Sequence, residues 1–123
     1  MANLDHLTLP VADWVRSREW YVRHVGLKIE FEVPERRTAA LQDESGFTIF
    51  VQQSDQADRS AGLALYFSVV DVESSYRKLS MAGIEFAHPP QKTFWGYGAE
   101  LHDPDGYTIR LWDQETMKRH DGE

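Results

Sequence analysis

The 123-residue sequence contains no cysteine. Disulfide bridges and thiolate metal ligands are therefore excluded, and nothing in the composition calls for an oxidising compartment. The sequence also lacks the ~20 consecutive apolar residues of a membrane-spanning helix, since its longest nearly apolar stretch covers only residues 62–70. The first residues carry neither the basic nor the apolar region of a signal peptide. We therefore expect a soluble cytoplasmic protein.

Positive charge is scarce, with 13 Lys and Arg against 20 Asp and Glu, a net charge of −7 and a pI near 5.2. No clustered basic stripe is present to neutralise phosphates, so the composition argues against a nucleic-acid partner, and the short apolar stretch argues against a membrane partner. A length of 123 residues with 41% hydrophobic content is enough for one domain with a buried core.

An internal repeat organises the chain. Residues 103–113 (DPDGYTIRLWD) form a turn followed by an alternating strand, and residues 43–53 (DESGFTIFVQQ) match them sixty positions earlier. Residues 7–13 and 65–71 share the pattern apolar-x-apolar-x-Val-x-Asp at an offset of 58. Because the two offsets differ by only two positions, each half can repeat the same order of elements.

Alternation and capping signals predict the order βαβββ in each half. Strands are expected over 5–10, 28–33, 38–42, 47–53, 63–69, 84–87 and 99–102, followed by the strand after the 103–106 turn. Asp13 should cap a helix over 14–25 that ends at Gly26, and Asp71 should cap a second helix that ends at Gly83. Pro89 and Pro90 should stop the strand before them.

These predictions give a single domain over residues 1–123. It consists of a first module (4–53), a polar linker (54–62), a second module (63–113) and a polar, frayed tail (114–123).

Two tandem βαβββ modules, with a His near the start of the first strand and Asp-Pro-Asp-Gly before the last, resemble the vicinal oxygen chelate superfamily. That superfamily includes glyoxalase I, extradiol dioxygenases, fosfomycin-resistance enzymes and bleomycin-resistance proteins. The resemblance covers residues 4–113. It implies an α+β fold in which the modules form a curved mixed sheet or barrel-like cleft, with helices on the convex face. It also implies a homodimer, since modules of this size in the superfamily usually pair.

The resemblance further implies four metal-ligand positions on the concave face, which fall on His6, Phe50, Ala64 and Arg110. Phe50 and Ala64 have no donor atom, and Arg110 is a permanent cation where the superfamily has a Glu. We therefore expect no metal and no other cofactor, and with them no metal-stabilised enolate or oxyanion.

Strand alternation places aromatic and polar side chains on the face opposite the aliphatic one, which is the usual composition of a small-molecule pocket. The predicted ligand-binding residues are His6, Phe50, Gln52, Tyr66, Trp95, Glu100, His102, Arg110 and Trp112. Phe50, Tyr66 and Trp112 suit stacking on a planar ligand, but they also suit plain core packing. Trp95, in a Gly-flanked loop, is either a lid or rim of the pocket or a packed anchor of the loop.

The polar candidates each have two interpretations. His6 is either a general base or ligand contact, or a hydrogen-bonded structural residue. Glu100 and Arg110 lie on strands joined by the 103–106 turn, which favours a cross-strand salt bridge over a catalytic pair. If Glu100 points elsewhere, Arg110 is a free cation for a carboxylate or phosphate of the ligand.

The favoured hypothesis is a metal-free protein, similar to the bleomycin-resistance branch, that binds or sequesters a small aromatic or antibiotic-like compound in the cleft. The alternative is an enzyme of the glyoxalase type: a lyase, isomerase or dioxygenase. Such an enzyme would use His6 and Glu100 as catalytic acid and base, or an atypical metal site. The sequence leaves open whether a reaction is catalysed.

Overall fold

The computed structural model describes residues 1–55 and 63–120 of the chain. These residues form eight strands and three α-helices, which confirms the α+β prediction. The chain divides into two compact units, Met1–Arg59 and Ser60–Glu123, called module 1 and module 2 below. Most of the predicted linker, residues 56–62, lies outside the described residues. No helix in the described part of the chain is long and apolar enough to cross a membrane.

Module 1 has the predicted order βαβββ. Its elements are β1 (His6–Val11), α1 (Trp14–Trp20), β2 (Lys28–Val33), β3 (Thr38–Gln42) and β4 (Thr48–Gln53), with a short 3₁₀ turn (Pro34–Arg36) between β2 and β3. Asp13 caps α1 as predicted, since its Oδ1 accepts the amides of Val15 and Arg16 at 3.1 Å. A π-helical turn (Tyr21–Val25) continues α1, and Gly26 ends it with φ 86°.

The sheet of module 1 has the order β1-β4-β3-β2, with β1 parallel to β4 and the other pairs antiparallel. Helix α1 packs against β3 and β4. The apolar residues of module 1 that are fully buried are Leu9, Val11, Tyr21, Ala39, Ala40, Leu41 and Val51. Alternation along β1 and β4 therefore leaves a second face, which carries His6, Phe50 and Gln52.

Module 2 repeats this arrangement. Its elements are β5 (Ala64–Ser68), α2 (Val72–Met81), β6 (Phe86–Thr93), β7 (Gly96–His102), β8 (Thr108–Trp112) and α3 (Gln114–His120). The sheet order is β5-β8-β7-β6, with β5 parallel to β8 and the other pairs antiparallel. Two four-stranded mixed sheets are thus present, one in each module.

The repeat extends to individual hydrogen bonds. In the turn before β4, Oδ1 of Asp43 accepts the amides two and four residues further on, at 3.0 and 2.9 Å. In the turn before β8, Oδ1 of Asp103 accepts the two equivalent amides, both at 2.9 Å. The carboxylate of Asp103 therefore serves the turn rather than a site.

Strand β6 differs from its prediction. A strand over 84–87 that stops at the prolines is wrong, because β6 (Phe86–Thr93) includes both Pro89 and Pro90. The strand tolerates them because it is at the edge of its sheet, where one row of amides has no partner strand. Its register with β7 is also irregular between His88 and Gln91, so the prolines interrupt no regular ladder.

The predicted frayed tail is also corrected. Residues 114–120 form α3, and residues 121–123 lie outside the described part. Asp113 provides the N-terminal cap, with its Oδ1 accepting the amide of Thr116 at 2.6 Å. Thr116 is buried and α3 packs against β7. Tertiary packing thus stabilises a helix whose own sequence is too polar to predict it.

Candidate ligand-binding site

Three predicted site residues form a row across module 2. Tyr66 on β5 and Glu100 on β7 are both register partners of Arg110 on β8. Their apolar neighbours Leu111 and Leu101 are buried at 3% and 1% exposure on the core side. Alternation therefore directs the three polar side chains to the opposite face of the sheet.

Arg110 is bound from both sides of this row. Its Nε donates to Oε1 of Glu100 at 2.9 Å, and its Nη1 donates to the hydroxyl of Tyr66. The predicted cross-strand salt bridge is confirmed, with the two side chains only 16% and 21% exposed. The hydrogen bond to Glu100 raises the pKa of Arg110 above its ordinary value, and burial opposes it without reversing it. The guanidinium is therefore always charged.

Three aromatic rings surround this guanidinium. The Cζ atom of Arg110 lies 5.2 Å from the ring centre of Tyr66, 5.3 Å from that of Phe94 and 5.7 Å from that of Trp95. These distances are within the range of cation–π attraction. We call Tyr66, Phe94, Trp95, Glu100 and Arg110 the aromatic–arginine cluster.

Trp95 is the anchor of its loop. Phe94 and Trp95 form the two-residue turn between β6 and β7, and the Trp95 ring meets Tyr66 edge-on at 5.4 Å. A Cβ atom on Gly98 would lie 2.5 Å from the Trp95 ring, so the indole occupies the space above this glycine. The geometry favours the anchor interpretation of Trp95 over the lid.

Phe94 is the residue that sequence reasoning missed. It is 89% exposed although it lies against Arg110, so most of its ring faces solvent. Strand alternation gives no direction for a side chain in a turn, and this is why the alternation pattern did not select it. The available signal was the aromatic pair at 94–95, placed between the β6 and β7 strands.

His102 and Trp112 share the face of Arg110 by alternation. His102 is exposed and lies opposite Thr108, whereas Trp112 is half-buried and lies opposite Ser68. Within the described residues, the ring contacts of module 2 do not include Trp112. The two residues extend the candidate surface on either side of Arg110 but do not contact the guanidinium through any recorded bond.

The candidates of module 1 form a smaller group. The rings of His6 and Phe50 are 4.9 Å apart, and Nδ1 of His6 is 3.0 Å from a carboxylate oxygen of Asp5. Gln52 is exposed two positions beyond Phe50 on β4. Phe31 joins them, meeting Phe50 edge-on at 5.7 Å. His6 thus has Asp5 as a hydrogen-bond partner, and its side chain is 48% exposed.

Phe31 was not predicted to share this face. Strict alternation would place it on the same side as Ile29, but the register shifts by one between them: Ile29 pairs with Leu41 and Phe31 with Ala40. This β-bulge turns Phe31 to the side of Phe50. A single-residue bulge leaves no reliable sequence signal.

The side chains at the implied metal positions do not fit a divalent cation. Phe50 and Ala64 have no donor atom, and Arg110 is a cation engaged with Glu100. Only His6 has a ligating nitrogen, and a single nitrogen does not hold a divalent cation. In residues 1–55 and 63–120, moreover, no three His, Asp or Glu side chains converge into a metal-holding group.

The fold and the cluster together define an α+β protein of two βαβββ modules with an aromatic, arginine-centred surface on one sheet. The family model of the Glyoxalase/Bleomycin resistance protein/Dioxygenase superfamily matches residues 3–111. The chain belongs to this superfamily, as the sequence resemblance predicted.

Solved structures share the fold. A possible glyoxalase from Bacillus cereus superposes with a TM-score of 0.78 at 23% identity, covering 91% of this chain and 99% of that one. An integron cassette protein from the mobile metagenome of a Halifax Harbour sewage outfall superposes with a TM-score of 0.77 at 17% identity, covering 90% of this chain and 97% of that one. The virulence protein STM3117 from Salmonella typhimurium superposes with a TM-score of 0.73 at 20% identity, covering 92% of this chain and 97% of that one. No curated protein sequence is significantly similar to this chain.

Proposed function

We propose that this protein is a metal-free small-molecule-binding protein, and that its ligand contacts the aromatic–arginine cluster of module 2. The observation that carries the proposal is the packing of a half-buried, ion-paired arginine beneath exposed aromatic rings. Tyr66 is 49% exposed and Phe94 is 89% exposed, and their ring centres lie 5.2 and 5.3 Å from Cζ of Arg110. Apolar area of this kind is costly in water and is typical of a surface that a ligand covers.

The compound class follows from the same residues. Flat aromatic faces beside a guanidinium favour a planar aromatic ligand, because ring stacking and cation–π contact both act on such a molecule. An antibiotic-like compound is consistent with membership of a superfamily that includes bleomycin-resistance proteins. Binding without metal is consistent with the absence of donor atoms at two of the four implied ligand positions.

An enzyme of the lyase, isomerase or dioxygenase type has less support. Glu100, one of the two acid–base candidates, is held by Arg110 at 2.9 Å, which opposes proton transfer by its carboxylate. His6, the other candidate, is hydrogen-bonded to Asp5 on module 1, a contact that a catalytic and a structural histidine share. Once a ligand is known, the enzyme hypothesis predicts turnover that His6→Ala and Glu100→Gln both abolish.

The homodimer and the cytoplasmic location are proposals as well. Pairing of chains is supported by the superfamily resemblance, and the cytoplasm by a sequence without cysteine.

The binding proposal can be tested with a panel of planar aromatic compounds, with bleomycin as a separate candidate, screened by ligand-observed NMR against the EDTA-treated protein. We expect at least one compound to bind, and Phe94→Ala to weaken it about 10-fold, the effect of losing roughly 1.4 kcal/mol of stacking. Met81→Ala is the matched control, because Met81 is also 89% exposed but lies on α2. Equal affinity in Phe94→Ala would remove the cluster from the site. Stoichiometric Ni, Zn, Fe or Mn in the untreated protein would contradict the metal-free part of the proposal.

A further inference from the structure

We propose that the ligand of the aromatic–arginine cluster is a planar aromatic acid, with its ring on Phe94 and its carboxylate on the open edge of Arg110. This inference rests on the proposed function and narrows it to one charge class of ligand.

The first step concerns the donors of the guanidinium. Arginine has five N–H donors, and the recorded bonds use Nε for Glu100 and Nη1 for Tyr66. Within residues 1–55 and 63–120, Nη2 has no recorded partner. No fully buried side-chain nitrogen or oxygen in this part of the chain lacks a hydrogen bond. Among these described residues the Nη2 hydrogens are therefore left to donate to a ligand, at a side chain that is 16% exposed.

The second step concerns the ring beside that edge. Phe94 lies 5.3 Å from Cζ of Arg110 and is 89% exposed, so its outer face is open to a second ring. An aromatic carboxylate has its acidic group in line with its ring, and it can stack on Phe94 while its oxygens accept from the guanidinium. A hydrogen bond between a guanidinium and a carboxylate is about twice as strong as a neutral one.

The third step excludes a cationic ligand. The place among the three rings that an organic cation would occupy is already filled by the charge of Arg110. A second cation there would meet like charge at a side chain that is only 16% exposed, where solvent screens little. The net charge of −7 attracts cations to the protein as a whole. Charges farther from the site than a Debye length of about 8 Å are, however, screened at physiological salt. Glu100 balances the charge of Arg110, so the preference comes from the remaining N–H donors of the guanidinium, which suit an acceptor such as a carboxylate and offer nothing to a cation.

Three probes with the same ring and different charge test this inference: 2-naphthoate, 2-naphthamide and 2-naphthamidinium. Titration into the full-length protein, followed by ligand-observed NMR in about 150 mM salt, should show 2-naphthoate binding at least 10-fold more tightly than the amidinium. The neutral amide should fall between them. Arg110→Gln should abolish the preference for 2-naphthoate, and the Glu100 carboxylate that it leaves without a cation should favour the amidinium. Phe94→Ala, in an exposed turn where folding is not at risk, should weaken all three probes.

Arg18→Gln is the matched control. Arg18 also lies over an aromatic ring, since its Cζ is 5.3 Å from the ring centre of Trp14, and it is paired with Glu32. Unlike Arg110, it lies on α1 of module 1. This variant should keep the ranking of the wild type. A preference for the amidinium or the amide would overturn the inference and leave the proposed binding function standing. If none of the three probes binds at the cluster, the inference is overturned. If, in addition, no compound of the aromatic panel binds, the proposed function is rejected as well.

Discussion

Asp113 joins the two helices of module 2 through one carboxylate. Its Oδ2 accepts the amide of Val72 at 2.7 Å and its Oδ1 accepts the amide of Thr116 at 2.6 Å, and the residue is 2% exposed. Burial alone would raise the pKa of Asp113, but the bonds from Val72 and Thr116 and the charge of Arg119 outweigh it, so the pKa lies below its ordinary 3.8. The ionised form is therefore the one that stabilises the fold.

We predict that Asp113→Asn lowers the free energy of unfolding by about 2 kcal/mol near neutral pH, since charge-assisted hydrogen bonds are each worth roughly that much. The asparagine keeps one acceptor and turns an N–H donor toward an amide. Because the folded-state pKa is depressed, the contribution of the wild-type carboxylate is complete above the unfolded pKa of about 3.9 and is lost as the pH falls through the folded value. Urea denaturation should show the two proteins converging in acid. The control, Asp71→Asn, should change little, because asparagine is an equally good N-cap.

Gly98 makes room for the cluster. A Cβ atom there would lie 2.2 Å from the carbonyl oxygen of Leu111 and 2.5 Å from the Trp95 ring. We predict that Gly98→Ala costs more than about 2 kcal/mol by overpacking and shifts the tryptophan emission. Gly46→Ala is the control. Gly46 has a φ of +94° and open space around it, so the alanine should cost about 1 kcal/mol of backbone strain without changing the tryptophan emission. An unchanged spectrum in Gly98→Ala would contradict the placement of Trp95.

Part of the site was predictable at this scale. The contact between Glu100 and Arg110 follows from alternation plus a short turn, which fixes cross-strand register, and it was predicted correctly. Phe94 and Phe31 were missed because a turn and a bulge determine their directions, and neither obeys the two-residue period.

Strands β2 and β3, which depend on local pattern, were predicted to the residue, whereas β7 begins three residues before its predicted start and β6 and α3 differ more. The bounds of β2 and β3 match the prediction, because alternation and flanking breakers are local. The run of β6 through two prolines depends on its being an edge strand, which only the completed sheet reveals. The helix α3 depends on packing against β7, and the polar sequence of residues 114–120 does not predict that contact.

Helix α3 packs against the turn end of the β6–β7 hairpin. The amide of Tyr97 donates to Sδ of Met117 at 3.2 Å, and the rings of Tyr97 and His120 stack at 4.0 Å. The space beside Gly96 is filled by the same methionine. Because Phe94 and Trp95 are the tip of this hairpin, α3 supports the turn that forms the cluster.

We predict that Met117→Ala lowers stability by about 1–2 kcal/mol, below the roughly 2–5 kcal/mol usual for a buried methionine, because Met117 is only half-buried. It should also change the environment of Trp95, which tryptophan emission reports. Lys118→Ala, at an exposed neighbouring position of the same helix, is the control and should leave both measurements unchanged. Normal stability and emission in Met117→Ala would show that α3 does not support the hairpin.

The two modules have kept the same capping and turn residues but differ in the side chains on the sheet face that carries the candidate sites. The capping Asp13 and Asp71 and the turn residues Asp43 and Asp103 keep their roles in both modules. Phe50 in module 1, however, corresponds to Arg110 in module 2 at the same offset of sixty positions. The repeated pattern therefore predicts the fold well, whereas the function has to be argued from the residues on each face.

We predict that the protein is a homodimer, as the superfamily resemblance implies. Light scattering in about 150 mM salt should give twice the chain mass of 14.2 kDa. Since each chain carries a net charge of −7, two copies repel one another, and lowering the salt to about 10 mM should weaken the dimer because the screening length grows to about 30 Å. A dimer whose subunits unfold as they separate also has a Tm that rises with protein concentration. A mass of 14.2 kDa together with a Tm independent of concentration would establish a monomer and contradict the prediction.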